Sequence, residues 1–326
     1  MNATVILEGY RKKPGEVATD TGNPIAEFRY DKADGFATWG GPHILSLVTE
    51  VATRALRAVR RQKFLIHRRA RPEVLAARLT QVHNRQKGRM DPAAITKIES
   101  MLRELGADDP ADENRPGVLL HWISALNAER NGGAATAIAG KKITGGNFLL
   151  PMAFPEGSPM HAAYGAGHAT VAGACVTMMK AFYDKDLTMK QVHGFTKFYQ
   201  TDANGDMKEA ATMDAGVLVS HELDKLAANI SIGRNHAGVH FYTDYYDSLR
   251  LGERVAVGIL EEQMLAYNEE VTLSFTGFDG EEIALKTDGS GTAAGVTMTV
   301  DGAADANWWT RNVQDFQLAP DPALLA

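Results

Sequence analysis

Three stretches carry the residues best suited to chemistry. Residues 161–168 read His-Ala-Ala-Tyr-Gly-Ala-Gly-His, and residues 234–240 read Arg-Asn-His-Ala-Gly-Val-His. Each sets histidine beside glycine-bracketed backbone. The third, residues 54–71, holds eight Lys or Arg residues and no carboxylate. Histidine moves protons, arginine and lysine hold negative charge, and glycine lets a ligand reach the backbone. Together they describe a pocket for a tetrahedral oxyanion.

Gly165-Ala166-Gly167-His168 leads into a segment with helical spacing. The first N–H groups of such a helix point outward at an anion, and the helix dipole favours negative charge there. His168 is then placed to give or take a proton at the anion's edge. Arg234 and His240 are six residues apart and share no helical face, so the sequence places them at the two ends of a turn around Gly238. His240 suits a nucleophile or a metal ligand, both of which need an available ring nitrogen. Lys63 and Arg71 are eight positions apart, about 80° of rotation and about 12 Å of rise on one helix. If that helix ends before Pro72, a planar fork and a point charge converge on one anion. Each element alone has a plainer reading: a solvated helix face, an ordinary loop-to-helix junction, a satisfied core histidine. Their order in one chain strengthens the case.

The elements that must position these residues are mostly helices. From His43, the positions Ile44, Leu47, Val48, Val51, Ala55 and Val59 follow three-and-four spacing, predicting one long helix that stops near Arg71 because Pro72 disfavours helical geometry before it. Two more helices are expected over 73–104, parted near Gly88–Pro92, and another runs from about His168 through Phe182. Further helices are expected over about 214–229 and 245–267. Residues 105–147 read as a loop-rich insertion around a short helix at Leu119–Leu126. Asp202-Ala-Asn-Gly-Asp206 resembles a calcium loop, but Met213 stands where a bidentate glutamate is needed, so it is read as a turn. After Val271, short alternating segments predict a β-hairpin tail. The expected fold class is mainly α, a helical bundle, in three parts: an irregular opening segment 1–42, a helical domain 43–270 and the tail 271–326.

Composition narrows the partners. The chain has 326 residues, is 44% hydrophobic and carries a formal charge of -6, enough for a full core and adverse to nucleic acid as a general partner. The single cysteine, Cys175, excludes an internal disulfide and a thiolate metal cluster, and its apolar neighbours suggest a buried thiol. Val5-Ile6-Leu7 followed by Arg11, Lys12 and Lys13 does not read as a signal peptide, and no run approaches the roughly 18 apolar residues of a membrane span.

Lys63 to Arg71-Pro72, then the glycine-bracketed His168, then Arg234 to His240 resembles the signature shared by vanadium-dependent haloperoxidases and type 2 phosphatidic acid phosphatases, whose ligands vanadate and phosphate are near-isosteric. Seven residues between Lys63 and Arg71 resemble the algal and cyanobacterial bromoperoxidases; most of the phosphatases have six. Residues 40–47, 149–154, 156–159 and 251–263 also look like red-algal bromoperoxidase sequence, so the resemblance covers roughly 35–270. It implies the helical bundle of the haloperoxidase and acid phosphatase type. It further implies that His240 binds vanadium, that Lys63, Arg71, Arg234 and the Gly167 amide hold the equatorial oxygens, and that His168 meets the apical hydroxide as acid–base. His161 matches a histidine near the peroxide and halide site of bromide-selective members. The implied reaction is redox-neutral at the metal: hydrogen peroxide replaces oxygen ligands, Lys63 polarises it, and bromide, or chloride, attacks to give hypohalous acid that halogenates organic acceptors.

The departures set further expectations. The family pattern at 161–168 is usually His-Pro-Ser-Tyr-Gly-Ser-Gly-His. Here Ala166 stands where a serine hydroxyl normally bonds vanadate, and losing one such bond costs on the order of 1.5 to 3 kcal/mol, roughly ten- to a hundredfold in affinity. Gln62 replaces the arginine usual before the pocket lysine. A structural calcium upstream would use Asp31 and Asp34. Algal members are nearly twice as long, so the chain is either a natural short form or a piece, and helix faces left bare predict a homo-oligomer. Two alternatives stand beside the bromoperoxidase: a phosphatase with His240 as nucleophile and His168 as leaving-group acid, and a weakened, non-catalytic oligomeric homologue.

Overall fold

A computed structural model describes residues 40–309 except 86–87, 89, 108–118, 131–135, 139–140, 144–146, 194–195 and 215. The opening segment, with Asp31 and Asp34, lies outside the described residues. Helix α1, Gly41–Arg61, buries Ile44, Leu47, Val48, Val51, Ala55 and Val59, the stripe its spacing predicts, and ends on Arg60 and Arg61, whose charge complements the C-terminal dipole. It does not continue to Arg71. Residues Gln62–His67 form a π-helical turn, Arg68 takes a positive φ of 47°, and Arg71 is extended at φ −74°, ψ 159° as the N-cap of α2, Pro72–His83. Pro72 opens this new helix, where its missing N–H costs nothing. The helical phase expected to join Lys63 to Arg71 therefore does not exist.

The chain divides into two compact units. The first comprises residues up to Leu65, 165–232 and 243 onward. It contains α1, α5 (Gly167–Phe182), α6 (Met189–His193), most of α7 (Val219–His236) and nearly all of α8 (Tyr242–Met264). One core joins α1, α5, α7, α8 and the C-terminal sheet. Helices α5 and α8 touch backbone to backbone: a Cβ on Gly173 would lie 2.4 Å from Leu249 O, and one on Gly252 would lie 2.2 Å from Thr170 O. The tail is a three-stranded antiparallel sheet of β5 (Val271–Thr276), β6 (Glu282–Thr287) and β7 (Val296–Val300), in the order β5-β6-β7. Phe275 pairs with Ile283 and Ile283 with Val300, all facing the core. The strand over 282–287 was not anticipated, and it turns the expected hairpins into one sheet. The buried ammonium of Lys180 on α5 donates to Asp224 Oδ1 at 2.8 Å and to Thr276 O at 2.7 Å, tying α5 to α7 and β5.

The Asp202 turn is a turn as expected: Asp202 Oδ1 accepts Asn204 N at 2.8 Å and Asp206 N at 3.0 Å. It joins the exposed strands β3 (Lys197–Thr201) and β4 (Met207–Thr212), a hairpin the sequence analysis missed because neither strand alternates in hydrophobicity.

The second unit comprises 66–164 and 233–242. It holds α2, α3 (Pro92–Glu104), α4 (Leu119–Arg130) and the short hairpin β1 (Thr136–Ile138) with β2 (Lys141–Ile143), which lies within the insertion expected to be loop. Asp91 caps α3 by accepting Ala93 N and Ala94 N. Leu79, Val82, Ile98, Leu102, Leu120 and Phe148 form a second core, and Thr80 Oγ1 accepts Phe148 N at 2.9 Å.

Candidate functional site

In the second unit the residues converge on Arg71. Its side chain is buried, and each of its five N–H donors meets an acceptor. Nε donates to His161 O at 3.0 Å. Nη1 reaches Val239 O at 2.9 Å and His240 Nε2 at 2.9 Å. Nη2 reaches His161 Nδ1 at 3.0 Å and Ala162 O at 3.3 Å. A guanidinium has no lone pair to offer, so His240 Nε2 is the acceptor, and His161 Nδ1 accepts only in the tautomer that gives up its own 3.2 Å bond to Ala162 O. The arrangement therefore fixes the His240 tautomer, with its lone pair on Nε2 and its proton on Nδ1.

The backbone around this cluster is braced locally. Ala163 N donates to Arg69 O at 2.8 Å, and the rings of His67 and Tyr164 meet edge to face at 4.4 Å. Arg69 stacks on Phe241, 4.5 Å from the ring centroid. Gly238, at φ +76°, turns the chain toward His240, and any Cβ there would lie 2.8 Å from Pro151 O. That combination requires glycine. Arg234 sits on the last turn of α7 rather than in a turn, because that helix runs on to His236 where the spacing predicted an end near 229. Its guanidinium lies 5.4 Å from the Phe154 ring centroid, and its buried Nε has no hydrogen-bond partner among the described residues.

Lys63, Gly167 and His168 belong to the first unit. Lys63 is buried within the π turn, its neighbours Phe64, Leu65 and Ile66 exposed. Helix α5 starts at Gly167 with Ala166 as N-cap and no side chain capping it. Thr170 N bonds back to Ala166 O at 2.9 Å, and His168 is exposed on the first turn. A Cβ on Gly167 would meet no atom within 4 Å. The Ala166 N–H goes to Ser248 Oγ at 2.8 Å, its carbonyl accepts from Thr170, and its side chain has no polar atom. It offers an anion nothing directly. Ser248 was missed in the sequence, although Asp244, Ser248, Gly252 and Ala256 recur every four residues on α8 and are all buried, the mark of a close-packed helix face.

Cys175 is half-buried, with its thiol pushed up by burial. Among the described residues no three His, Cys, Asp or Glu side chains gather as a metal site, and no helix is long and apolar enough to cross a membrane.

The second unit presents an arginine between two histidine nitrogens and a second arginine with an unmet donor, and the first unit, by itself, presents an uncapped helix start opened by glycine; groups of each kind suit negative charge. Residues 113–269 match the family model described as VCPO second helical-bundle domain, so this part of the chain is similar to that domain. It is 44% identical over 259 residues to a vanadium-dependent bromoperoxidase of Corallina pilulifera, covering 79% of this chain and 39% of that protein. It is 41% identical over 286 residues to the vanadium-dependent bromoperoxidase of Corallina officinalis, covering 87% of this chain and 43% of that one. The chain thus spans about two fifths of the length of these relatives. Its fold is similar to the homohexameric structure of the second vanadate-dependent bromoperoxidase from Ascophyllum nodosum, with a TM-score of 0.62 at 23% identity, covering 89% of this chain and 46% of that one.

Proposed function

We propose that this chain binds vanadate and oxidises bromide with hydrogen peroxide, H2O2 + Br⁻ + H⁺ giving HOBr + H2O, the hypobromous acid then halogenating organic acceptors. The observation that carries the reading is the Arg71 cluster, which holds the Nε2 lone pair of His240 ready for an electrophilic centre. The residues present suit vanadate on three counts: that lone pair, the buried unmet donor of Arg234, and the uncapped start of α5 at Gly167. When bound, vanadate supplies a Lewis-acidic centre that activates peroxide without changing its own oxidation state.

The chain's own residues do the rest. His240 would hold the oxyanion through Nε2; Arg71 would turn its bond from that nitrogen to an oxygen while Val239 O and the His161 and Ala162 carbonyls keep it in place. Arg234, Lys63 and the Gly167 amide neutralise the remaining charge. Lys63, buried at its turn, would place its positive charge beside the bound oxyanion. His168 would supply the proton that leaves in water, and His161 would stand on the halide side. A homo-oligomer fits the exposed Phe64-Leu65-Ile66 run and the hexameric relative in fold. A calcium on Asp31 and Asp34 completes the proposal and is tested by metal analysis of the purified protein.

The main experiment strips oxyanions by dialysis against EDTA, restores orthovanadate, and measures peroxide-dependent bromination beside phosphoester hydrolysis. Bromination that appears only with vanadate is expected. Bromination indifferent to vanadate, or phosphoester hydrolysis without bromination, rejects the reading; the second result makes His240 a phosphatase nucleophile.

A further inference from the structure

Ser248 lies on α8 with 1% exposure, far along the sequence from the glycine-bracketed loop, yet its Oγ is the acceptor for the Ala166 N–H at 2.8 Å. The Ala166 carbonyl is equally committed, taking Thr170 N at 2.9 Å and Thr170 Oγ1 at 3.0 Å. With both polar groups of Ala166 engaged inside the unit, the first amide that turns outward at α5 is that of Gly167. The loop is also closed from the other side. A Cβ on Gly165 would lie 2.9 Å from Ser248 Oγ and 3.1 Å from Val59 Cγ2, so α1 and α8 grip this peptide and leave no space for a side chain.

We propose that Ser248 is a positioning residue for the oxyanion: by fixing the Ala166 N–H, its hydroxyl sets the direction in which the Gly167 and His168 amides face the ligand. The proposal rests on the reading that this helix start serves vanadate. A buried N–H that loses its acceptor is costly and is relieved by rotating the peptide. The Ala166–Gly167 peptide is the next plane in the chain, so the rotation passes through the Ala166 dihedrals and strains the Thr170 bonds that hold the anion-facing amide. Because the α5 start has no side-chain cap of its own, α8 supplies the control that a capping hydroxyl would otherwise give.

The test compares Ser248→Ala, Ser248→Thr, Gly165→Ala and Ser231→Ala. The last removes an equally buried hydroxyl, 1% exposed, whose bond to Ala227 O stays within α7. Orthovanadate dissociation constants are read by vanadium-51 NMR, and exchange of the Ala166 amide by hydrogen–deuterium exchange. Ser248→Ala is expected to weaken vanadate about tenfold, the worth of one hydrogen bond, and to speed Ala166 exchange. Ser248→Thr keeps the hydroxyl and restores binding to within about threefold, and Ser231→Ala stays within the same margin. Gly165→Ala, which pushes the Ser248 hydroxyl aside from the loop, reproduces the loss even if Ser248→Ala does not fold. Wild-type affinity in Ser248→Ala or Gly165→Ala overturns the proposal, as does an equal loss in Ser231→Ala. A wild-type chain that binds no orthovanadate overturns the vanadate reading beneath it as well.

Discussion

Replacing Glu253 by glutamine should reverse part of the protein's pH dependence of stability. Glu253 is 2% exposed on α8, and its Oε1 accepts Phe278 N at 3.0 Å. Burial pushes its carboxyl from an ordinary 4.5 up to about 7, with Glu281 and Asp279 adding to the rise while Lys180 and the Phe278 amide oppose it. Each tenfold change in proton affinity is worth about 1.4 kcal/mol, so the whole rise corresponds to about 3 kcal/mol. The folded pKa is above the unfolded one, so between pH 4.5 and about 7 the native state holds a proton that the unfolded chain has released. Stability from this group is therefore present at low pH and lost as pH climbs through that window. Glutamine keeps the carbonyl that accepts Phe278 N and has no proton to lose. Urea unfolding followed by tryptophan fluorescence, run at pH 5 and pH 8 on both proteins, isolates the term, because other titrating groups cancel in the difference. Going from pH 5 to pH 8, the variant should gain about 2–3 kcal/mol relative to wild type. Identical pH slopes, or a relative gain by wild type, would refute the burial argument.

Three further outcomes follow from the geometry. Arg71→Lys puts one point charge where five donors met acceptors, so orthovanadate affinity should fall about ten- to a hundredfold, measured by vanadium-51 titration; a change under threefold would remove Arg71 from the site. Gly252→Ala drives a Cβ to 2.2 Å from Thr170 O and 2.6 Å from Ala174 N, atoms that cannot rotate away. The overpacking cost of about 1–3 kcal/mol should lower the melting temperature by roughly 2–5 °C, and an unchanged or raised melting temperature would contradict the close crossing of α5 and α8. Ala166→Ser adds a hydroxyl at the uncapped N-cap of α5, and vanadate should bind about tenfold tighter. A rise in melting temperature with unchanged affinity would mean that the hydroxyl caps the helix's own amides instead.

The glycine-bracketed start of α5 was legible because three signals coincide there: the glycines, the following apolar spacing and the histidine on the first turn. The burial stripe of α1 was legible for the same reason, since one periodic signal has one solution. The break after Arg61 was not, because Gln62–His67 has composition as compatible with an α turn as with the π turn observed. Nor could spacing reveal that Arg71 engages two histidines and three carbonyls; those partners come from positions 90 and 168 or more residues away and depend on the tertiary fold. Ser248 escaped for a similar reason. A serine in a helix gives no local sign of bonding a loop 82 residues earlier.

The π turn at Gln62–His67 is also a way of storing one residue. An α turn closes four positions back and a π turn five, so an added residue is taken up inside the turn while everything before it keeps its phase. Ile44 through Val59 stay locked in the core whatever the count beyond Arg61. The seven residues separating Lys63 from Arg71 then need no rebuilding of α1. The helix before the turn carries the structural constraint, and the turn takes up the difference in length.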